Sequence, residues 1–214
     1  MLKQPRTIYL TAVLLLALTS SDVLAGNPHT REGWLVGFSY GYSRGDIEWG
    51  GLDSGVYKGG STPQIRIGHM LGSHFALGFE YHGWMLEGGE VPLKLRSSLQ
   101  SAMLAVTWYP GRPDQTLGGF YVRAGAGYGW AGLTFVEIEA NPDPEDHVSI
   151  EQEHGDRTDE SGIGYTLGLG YEFRISHNFA AGLGWSMDYL SVDKDIYKNG
   201  TYYPITLVMG WYWD

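Results

Sequence analysis

The chain has 214 residues, a formal net charge of −10 at pH 7 and no cysteine. The lack of cysteine excludes disulfide bonds, thiolate metal sites and a cysteine nucleophile, and the acidic balance argues against a nucleic-acid partner. Glycine and aromatic residues are abundant, with 32 Gly, 15 Tyr and 8 Trp. They alternate in blocks of about ten residues, and a period of two is typical of β-strands.

The first 25 residues have the pattern of a secretory signal peptide. Lys3 and Arg6 precede an apolar stretch at 8–18, and a small-residue cleavage motif ends at residue 25. An uncleaved N-terminal membrane helix is the alternative. No cysteine follows the apolar stretch, so the pattern is not that of a lipoprotein signal. We therefore predict that residues 1–25 are removed.

The remaining residues, 26–214, are predicted to form one β-barrel domain in a membrane. The clearest alternating block is 163–173, where every odd position is large and apolar and every even position is small or polar. A membrane-spanning strand needs about 9–11 residues of this kind. No later apolar run approaches the ~20 residues of a membrane helix. Only helices and closed barrels satisfy all backbone groups in lipid, so a barrel is expected.

Eight strands are predicted in chain order. They run over 33–42, 62–70, 75–86, 97–109, 119–135, 162–175, 178–190 and 201–213. The connections alternate between short turns and long polar loops. The long loops lie near 43–60, 87–96, 136–160 and 191–200. This asymmetry favours an all-β, eight-stranded antiparallel up-and-down transmembrane barrel with extracellular long loops and periplasmic termini. Ten strands remain possible if 136–160 adds a hairpin.

The large apolar side chains are predicted to face outward, with aromatic residues clustered near strand ends. They include Trp34, Val36, Phe38, Tyr40, Phe75, Leu77, Phe79, Tyr81, Phe179, Ala181, Leu183, Trp185, Met187 and Tyr189. The alternative is a soluble β-sandwich that buries these side chains in its core.

The segment Asn199-Gly200 conflicts with this alternation. Asn-Gly favours a two-residue hairpin, which would set odd residues opposite even ones, although both flanking strands are apolar at odd positions. We expect a bulge near Pro204 to reset the register, since proline favours such sites. The alternative is a loop that is not a simple hairpin.

The signal peptide, the eight alternating strands and the last strand together resemble the small bacterial outer-membrane barrels: the OmpX/Ail group, the OmpA membrane domain and the OmpW group. The resemblance implies a location in the cell outer membrane. It also implies that the barrel-assembly machinery reads the last strand, where Ile205, Leu207, Met209, Trp211 and Trp213 match the family pattern. Trp in place of the usual final Phe, and the extra Asp214, depart from that pattern.

Charged residues are predicted inside the barrel. Arg66, Glu80, Arg123 and Glu172 all fall at inward positions, and Arg66 and Glu80 flank one tight turn. Isolated buried charges are costly, so these groups should pair. We predict an electrostatic plug that closes the lumen; a proton or ion relay is the alternative.

Glycines recur at inward positions of the fifth to seventh strands. They are Gly125, Gly127, Gly129, Gly164, Gly168, Gly170, Gly182 and Gly184. They can make room for long inward side chains and for strand twist. The alternative is a cavity or a narrow conduit on that side.

The loop at 136–160 is strongly acidic and is the predicted interaction surface. Its carboxylates include Glu137, Glu139, Asp143, Glu145, Asp146, Glu151 and Glu153. Short alternating stretches indicate a projecting hairpin whose edge could pair with a strand of an extracellular partner protein. The alternative is a solvated loop that keeps the surface negative. A cation site near its histidines has only weak support, so neither a metal site nor a cofactor is predicted.

Cations near the predicted outer rim offer a second interaction. They are Arg44, Lys58, Lys94, Arg96, Lys194 and Lys198. They could bind lipopolysaccharide phosphates through charge-assisted hydrogen bonds; ordinary loop charge is the alternative.

No catalytic set is predicted, and we expect that the protein is not an enzyme. A nucleophilic site needs a serine, a histidine and a carboxylate within hydrogen-bond reach. Ser186 and Asp188 point inward without an evident histidine, and His82 points inward without an evident serine. The predicted function is envelope structure or surface interaction by a largely plugged barrel. A narrow channel for small or hydrophobic solutes is the alternative, and a lipid-modifying enzyme is less favoured.

Overall fold

The computed structural model describes residues 31–49, 55–88, 93–111, 118–137, 158–176, 178–192 and 197–213. The predicted signal peptide lies outside these residues. Within these segments, no helix is both long and apolar enough to cross a membrane.

The described residues form eight antiparallel strands that close into a barrel. In chain order these are β1 Trp34–Trp49, β2 Gly55–Met70, β3 Phe75–Gly88, β4 Leu93–Trp108, β5 Phe120–Glu137, β6 Thr158–Arg174, β7 Phe179–Ser191 and β8 Tyr197–Trp213. Each strand pairs with its sequence neighbours, and β8 pairs with β1 to complete the ring. The predicted up-and-down topology and strand count are confirmed.

The strands are longer than predicted at the end that carries the long connections. β1 continues to Trp49 and β2 begins at Gly55, so both enter the segment predicted as a loop at 43–60. β3 and β4 enter 87–96 in the same way. Charged residues led the sequence prediction to end these strands early. Arg44 in β1 is exposed on the outer face, where a charge does not prevent ladder pairing.

The barrel has its apolar surface on the outside and its polar residues inside. In β6, Ile163 and Leu167 are about half exposed, at 54% and 50%, whereas inward Thr166 is 4% exposed. The same alternation runs along the other strands. The soluble sandwich is therefore wrong, because its core would have to contain the side chains that this barrel exposes.

The structure corrects the predicted bulge near Pro204. The β7–β8 ladder keeps one register from Ser191, opposite Asn199, down to Phe179, opposite Trp211. Odd residues thus face odd residues without any shift. Asn199 lies within β8 and accepts a hydrogen bond from the hydroxyl of Tyr189 at 2.9 Å. The connection is therefore not an Asn-Gly hairpin.

Two apolar clusters occupy the two ends of the lumen, and the charged residues lie between them. The cluster toward the long connections contains Ile47, Trp84, Leu86, Leu99, Ala131, Leu190, Val192, Tyr197 and Tyr202. The cluster toward the short turns contains Leu35, Met70, Ala76, Tyr109, Tyr121, Ala180 and Tyr212. Both clusters consist of inward side chains, so they narrow the lumen above and below the charged band.

Candidate functional site

The four charged residues predicted for the lumen lie in the middle of the barrel, on four different strands. Arg66 is on β2, Glu80 on β3, Arg123 on β5 and Glu172 on β6. None of these residues is more than 5% exposed. The ring of strands therefore holds four formal charges in a space that water does not reach freely.

The ion pairs form across the lumen. Arg66 and Glu80 are directly opposed in the β2–β3 register, as their places beside one turn predict. Arg66 nevertheless pairs with Glu172, and Arg123 pairs with Glu80 at 3.3 Å. Long arginine side chains can reach carboxylates on distant strands, so the register of neighbouring strands does not determine the pairs.

The network continues into residues that the sequence analysis did not connect. His82 Nε2 lies 2.9 Å from Glu80 Oε2, and His82 Nδ1 lies 2.7 Å from Asp188 Oδ1. Ser186 donates a hydrogen bond of 2.7 Å to the other oxygen of Asp188. The expectation that Ser186 and Asp188 have no histidine nearby is therefore wrong.

This contact escaped prediction because β3 and β7 are not neighbours in the barrel. His82 and Asp188 meet across the lumen. Their contact could have been predicted only by comparing the positions of all inward residues along the barrel axis. The order of contacts is serine, aspartate, histidine, glutamate. Both ring nitrogens of His82 already face carboxylates, so in this arrangement neither is placed to accept the proton of Ser186.

At the end with the short turns, cations and tyrosines extend the network. Tyr212 donates a hydrogen bond to Glu172, and its hydroxyl lies 3.1 Å from that of Tyr109. The guanidinium of Arg31 lies 3.9 Å from the ring centre of Tyr109, and that of Arg174 lies 4.2 Å from the ring centre of Tyr212. Arg31 also donates to the carbonyl of Gly118. These contacts fill part of that end of the lumen.

The inward glycines accommodate neighbouring groups. A Cβ placed on Gly184 would lie 2.8 Å from the hydroxyl oxygen of Tyr121, and one on Gly170 would meet the same hydroxyl. A Cβ on Gly168 would lie 3.2 Å from the Cβ of Ser186 and 3.5 Å from a guanidinium nitrogen of Arg123. These positions are occupied space, as expected if glycine makes room for long side chains.

The remaining glycines of this set are also crowded. Gly125 and Gly164 face side chains of β4, Gly129 faces Leu190, and Gly127 and Gly182 approach neighbouring backbone. A cavity of about 10 Å³ adjoins Arg66 and Glu80 among the described residues. This volume is about enough for a single water molecule.

Most of the predicted extracellular residues lie outside this description. Of the acidic set, Glu139, Asp143, Glu145, Asp146, Glu151 and Glu153 fall outside the described residues, and Glu137 is described only as the last residue of β5. Among the rim cations, Arg44 and Lys198 are exposed. No group of three or more potential ligands that could hold a metal ion occurs in the described part of the chain.

Comparison with known proteins agrees with this architecture. Two solved structures of Ail, the attachment invasion locus protein of Yersinia pestis, have a TM-score of 0.56 to the chain, at 10% and 13% identity. In both cases the match covers 84% of this chain and 99% of Ail. Neisserial surface protein A has a TM-score of 0.50 at 14% identity, covering 85% of this chain and 97% of its own. At such identities the likeness shows the fold alone.

No curated protein matches the chain. A family model described as "Outer membrane protein beta-barrel domain" matches residues 10–209. That match spans nearly all of the barrel described above. The chain therefore belongs to the outer membrane protein beta-barrel domain family, and its barrel lies in the outer membrane.

Proposed function

We propose that this protein is a sealed outer-membrane barrel that acts in envelope structure or surface interaction through its extracellular loops. The observation that carries the proposal is the filled lumen. Paired charges occupy its middle, apolar clusters occupy both ends, and the cavity beside Arg66 and Glu80 has a volume of about 10 Å³. An eight-stranded barrel is just wide enough for side chains to fill.

The lumen offers less support for a channel or an enzyme. Tyr121 and Arg123 lie against inward glycines that would have to line a conduit. Ser186 donates to Asp188, while both nitrogens of His82 lie against carboxylates. A barrel without an open passage or an available base acts through its surfaces. The loops at the end with the long connections are therefore the interaction surfaces that we propose.

Charge restricts the kind of extracellular partner. One Ail structure contains sucrose octasulfate, a heparin analogue, which is a polyanion. Here the segment 137–160 has ten acidic residues and Arg157 as its single Lys or Arg. Like charges repel across an interface, so we propose a cationic or neutral protein partner for this loop. Lipopolysaccharide phosphates are proposed for exposed cations such as Arg44 and Lys198.

The last strand is proposed as the contact for barrel assembly. Its outward residues Ile205, Leu207 and Met209 continue the alternating apolar face up to Trp213. This is the face that the family resemblance implies the assembly machinery reads.

Deletion of 138–150 tests the loop proposal. The deletion removes four acidic residues, Glu139, Asp143, Glu145 and Asp146, and leaves all eight strands intact. We expect an unchanged heat-dependent gel shift and at least a several-fold loss of binding to polylysine, measured at low salt because screening weakens exposed charges. A folded deletion variant that binds polylysine as well as the full-length barrel contradicts the proposal.

A further inference from the structure

The wall of the barrel is interrupted at two prolines. Pro63 of β2 is paired with Tyr40 of β1, yet the β2–β3 ladder lacks the two pairs that would contain Thr62 and Pro63. Pro204 of β8 is paired with Ser43 of β1, and the β7–β8 ladder lacks the two pairs that would contain it and the preceding residue. All of these positions lie within the described strands.

A missing backbone donor accounts for both interruptions. Proline has no N–H group, and in an antiparallel ladder one lost hydrogen bond removes a bonded pair and weakens the adjacent one. The register is the same on both sides of each gap, so neither gap is a bulge. Both prolines stay paired with β1. The strands β8, β1 and β2 thus remain joined to each other and lose pairing with β7 on one side and β3 on the other.

The two interruptions differ on the side of the long connections. Beyond Pro63, the described part of the β2–β3 ladder keeps one pair, Ser61 with Met85. Beyond Pro204, the β7–β8 ladder keeps four pairs, from Asp188 with Tyr202 to Ser191 with Asn199. The β2–β3 seam is therefore the weaker edge, and the β7–β8 side is the better attached one. We call residues 41–49, 55–62 and 197–203 the wall panel.

Trp84 contacts the panel from inside the lumen. It belongs to β3, on the far side of the weak seam, and is fully buried. Its indole ring stacks on Tyr202 of β8, with ring centres 5.9 Å apart and an interplanar angle of 13°. A Cβ on Gly45 of β1 would lie 2.9 Å from this ring, and one on Gly60 of β2 would also meet it. One side chain thus crosses the seam and lies under all three panel strands.

The strands that border the panel are braced independently of it. His82 of β3 and Asp188 of β7 are joined through the lumen at 2.7 Å. Closer to the short turns, Arg66 and Tyr212 tie β2 and β8 to Glu172 of β6. Polar contacts therefore hold together the half of the barrel nearer the short turns, and they also join β3 to β7. Among the described residues, the panel is held along the weak seam by one ladder pair and by the contacts of Trp84.

We propose that the wall panel opens outward at the β2–β3 seam, with the break at Pro204 as its hinge and Trp84 as its latch. Opening separates Ser61 from Met85 and uncovers Trp84, while the charged band below stays paired. Local opening of this kind occurs where few contacts must break.

Amide hydrogen exchange of the refolded barrel in lipid vesicles tests the proposal. Peptides from 55–62 and 81–88 should exchange at least ten-fold faster than peptides from 97–104, which lie in the continuous β4–β5 ladder. Pro63→Ala restores a backbone donor and should slow exchange at the seam about ten-fold. The proposal is overturned if the three segments of the wild-type barrel exchange at equal rates. It is also overturned if a folded Pro63→Ala variant shows an unchanged exchange rate at the seam.

Variants of the latch and of the seam give a second test. Trp84→Ala should speed exchange at the seam selectively. Met103→Ala, which truncates an equally buried side chain on β4 opposite Glu80 and away from the panel, should not. Because the chain has no cysteine, an oxidised Ser61→Cys/Met85→Cys pair can lock the seam even if the Trp84 variant fails to fold. Slower panel exchange on oxidation supports opening at this seam, and no change on oxidation contradicts it.

Discussion

At the scale of single residues, the lumen depends on the pairing of the buried charges in its central band. Removing one partner of a buried ion pair leaves the other charge uncompensated, whereas replacing both partners can be nearly neutral. The pairs Arg66–Glu172 and Arg123–Glu80 lie in a band that apolar clusters separate from both mouths. Single substitutions in this band should therefore cost more than double ones.

The pair Arg66–Glu172 provides the first prediction. Arg66→Ala should lower the free energy of unfolding by about 3–5 kcal/mol, because Glu172 is left buried without its cation. Arg66→Met combined with Glu172→Gln should recover a large part of that loss. Urea unfolding in lipid vesicles measures both. Arg44→Ala, at an exposed arginine, serves as the control and should change stability by no more than about 0.5 kcal/mol. Equal effects of the two alanine variants would count against a buried pair.

His82 gives the second residue-scale prediction. His82→Ala removes the contacts at 2.7 and 2.9 Å to Asp188 and Glu80, so two buried carboxylates lose a partner. We expect a loss of about 3–5 kcal/mol in the same unfolding assay. His69 is the matched control, because it faces outward and packs edge-on against Trp34 at 5.3 Å. A His82→Ala barrel as stable as His69→Ala would refute the network.

At the scale of strands, the alternation of apolar and polar residues correctly predicted which face lies outside. The charged residues led to strand ends that were predicted too early. The alternation of inward and outward side chains continues beyond the apolar band. In β1, Ile47 faces inward and the charged residues around it face outward. Pro204 was expected to reset the register and instead marks a gap within one register. Turn propensity at Asn199-Gly200 was overridden, because only odd-to-odd pairing keeps both apolar faces toward lipid.

Packing of strand β1 against Trp84 gives an element-scale prediction. A Cβ on Gly45 would lie 2.9 Å from two ring atoms of Trp84 and 3.5 Å from the carbonyl oxygen of Thr201. Gly45→Val should therefore cost about 1–3 kcal/mol by overpacking. In a Trp84→Leu background the same substitution should cost clearly less. A double-mutant cycle in urea measures the coupling, and additive effects would show that the two residues do not touch.

At the scale of the whole molecule, the side chains in the lumen form three layers along the barrel axis: a charged band lies between two apolar clusters. The sequence allowed the closed barrel, its eight strands and the inward charges to be predicted, because each follows from local alternation. The partners Arg66–Glu172 and His82–Asp188 could not be predicted in the same way. Contacts through a lumen depend on the tilt and shear of all strands together, which no single segment encodes.

The central claim is that this lumen is sealed, and conductance of refolded residues 26–214 in a planar bilayer tests it most directly. A heat-dependent gel shift first shows that the barrel is folded. Wild type is expected to be silent, and so is the double variant Arg123→Ala with Glu80→Ala, because the apolar clusters at both ends of the lumen stay in place. Steady channels in the wild-type barrel, reduced by Gly168→Trp, would contradict the account and favour a narrow passage beside the inward glycines.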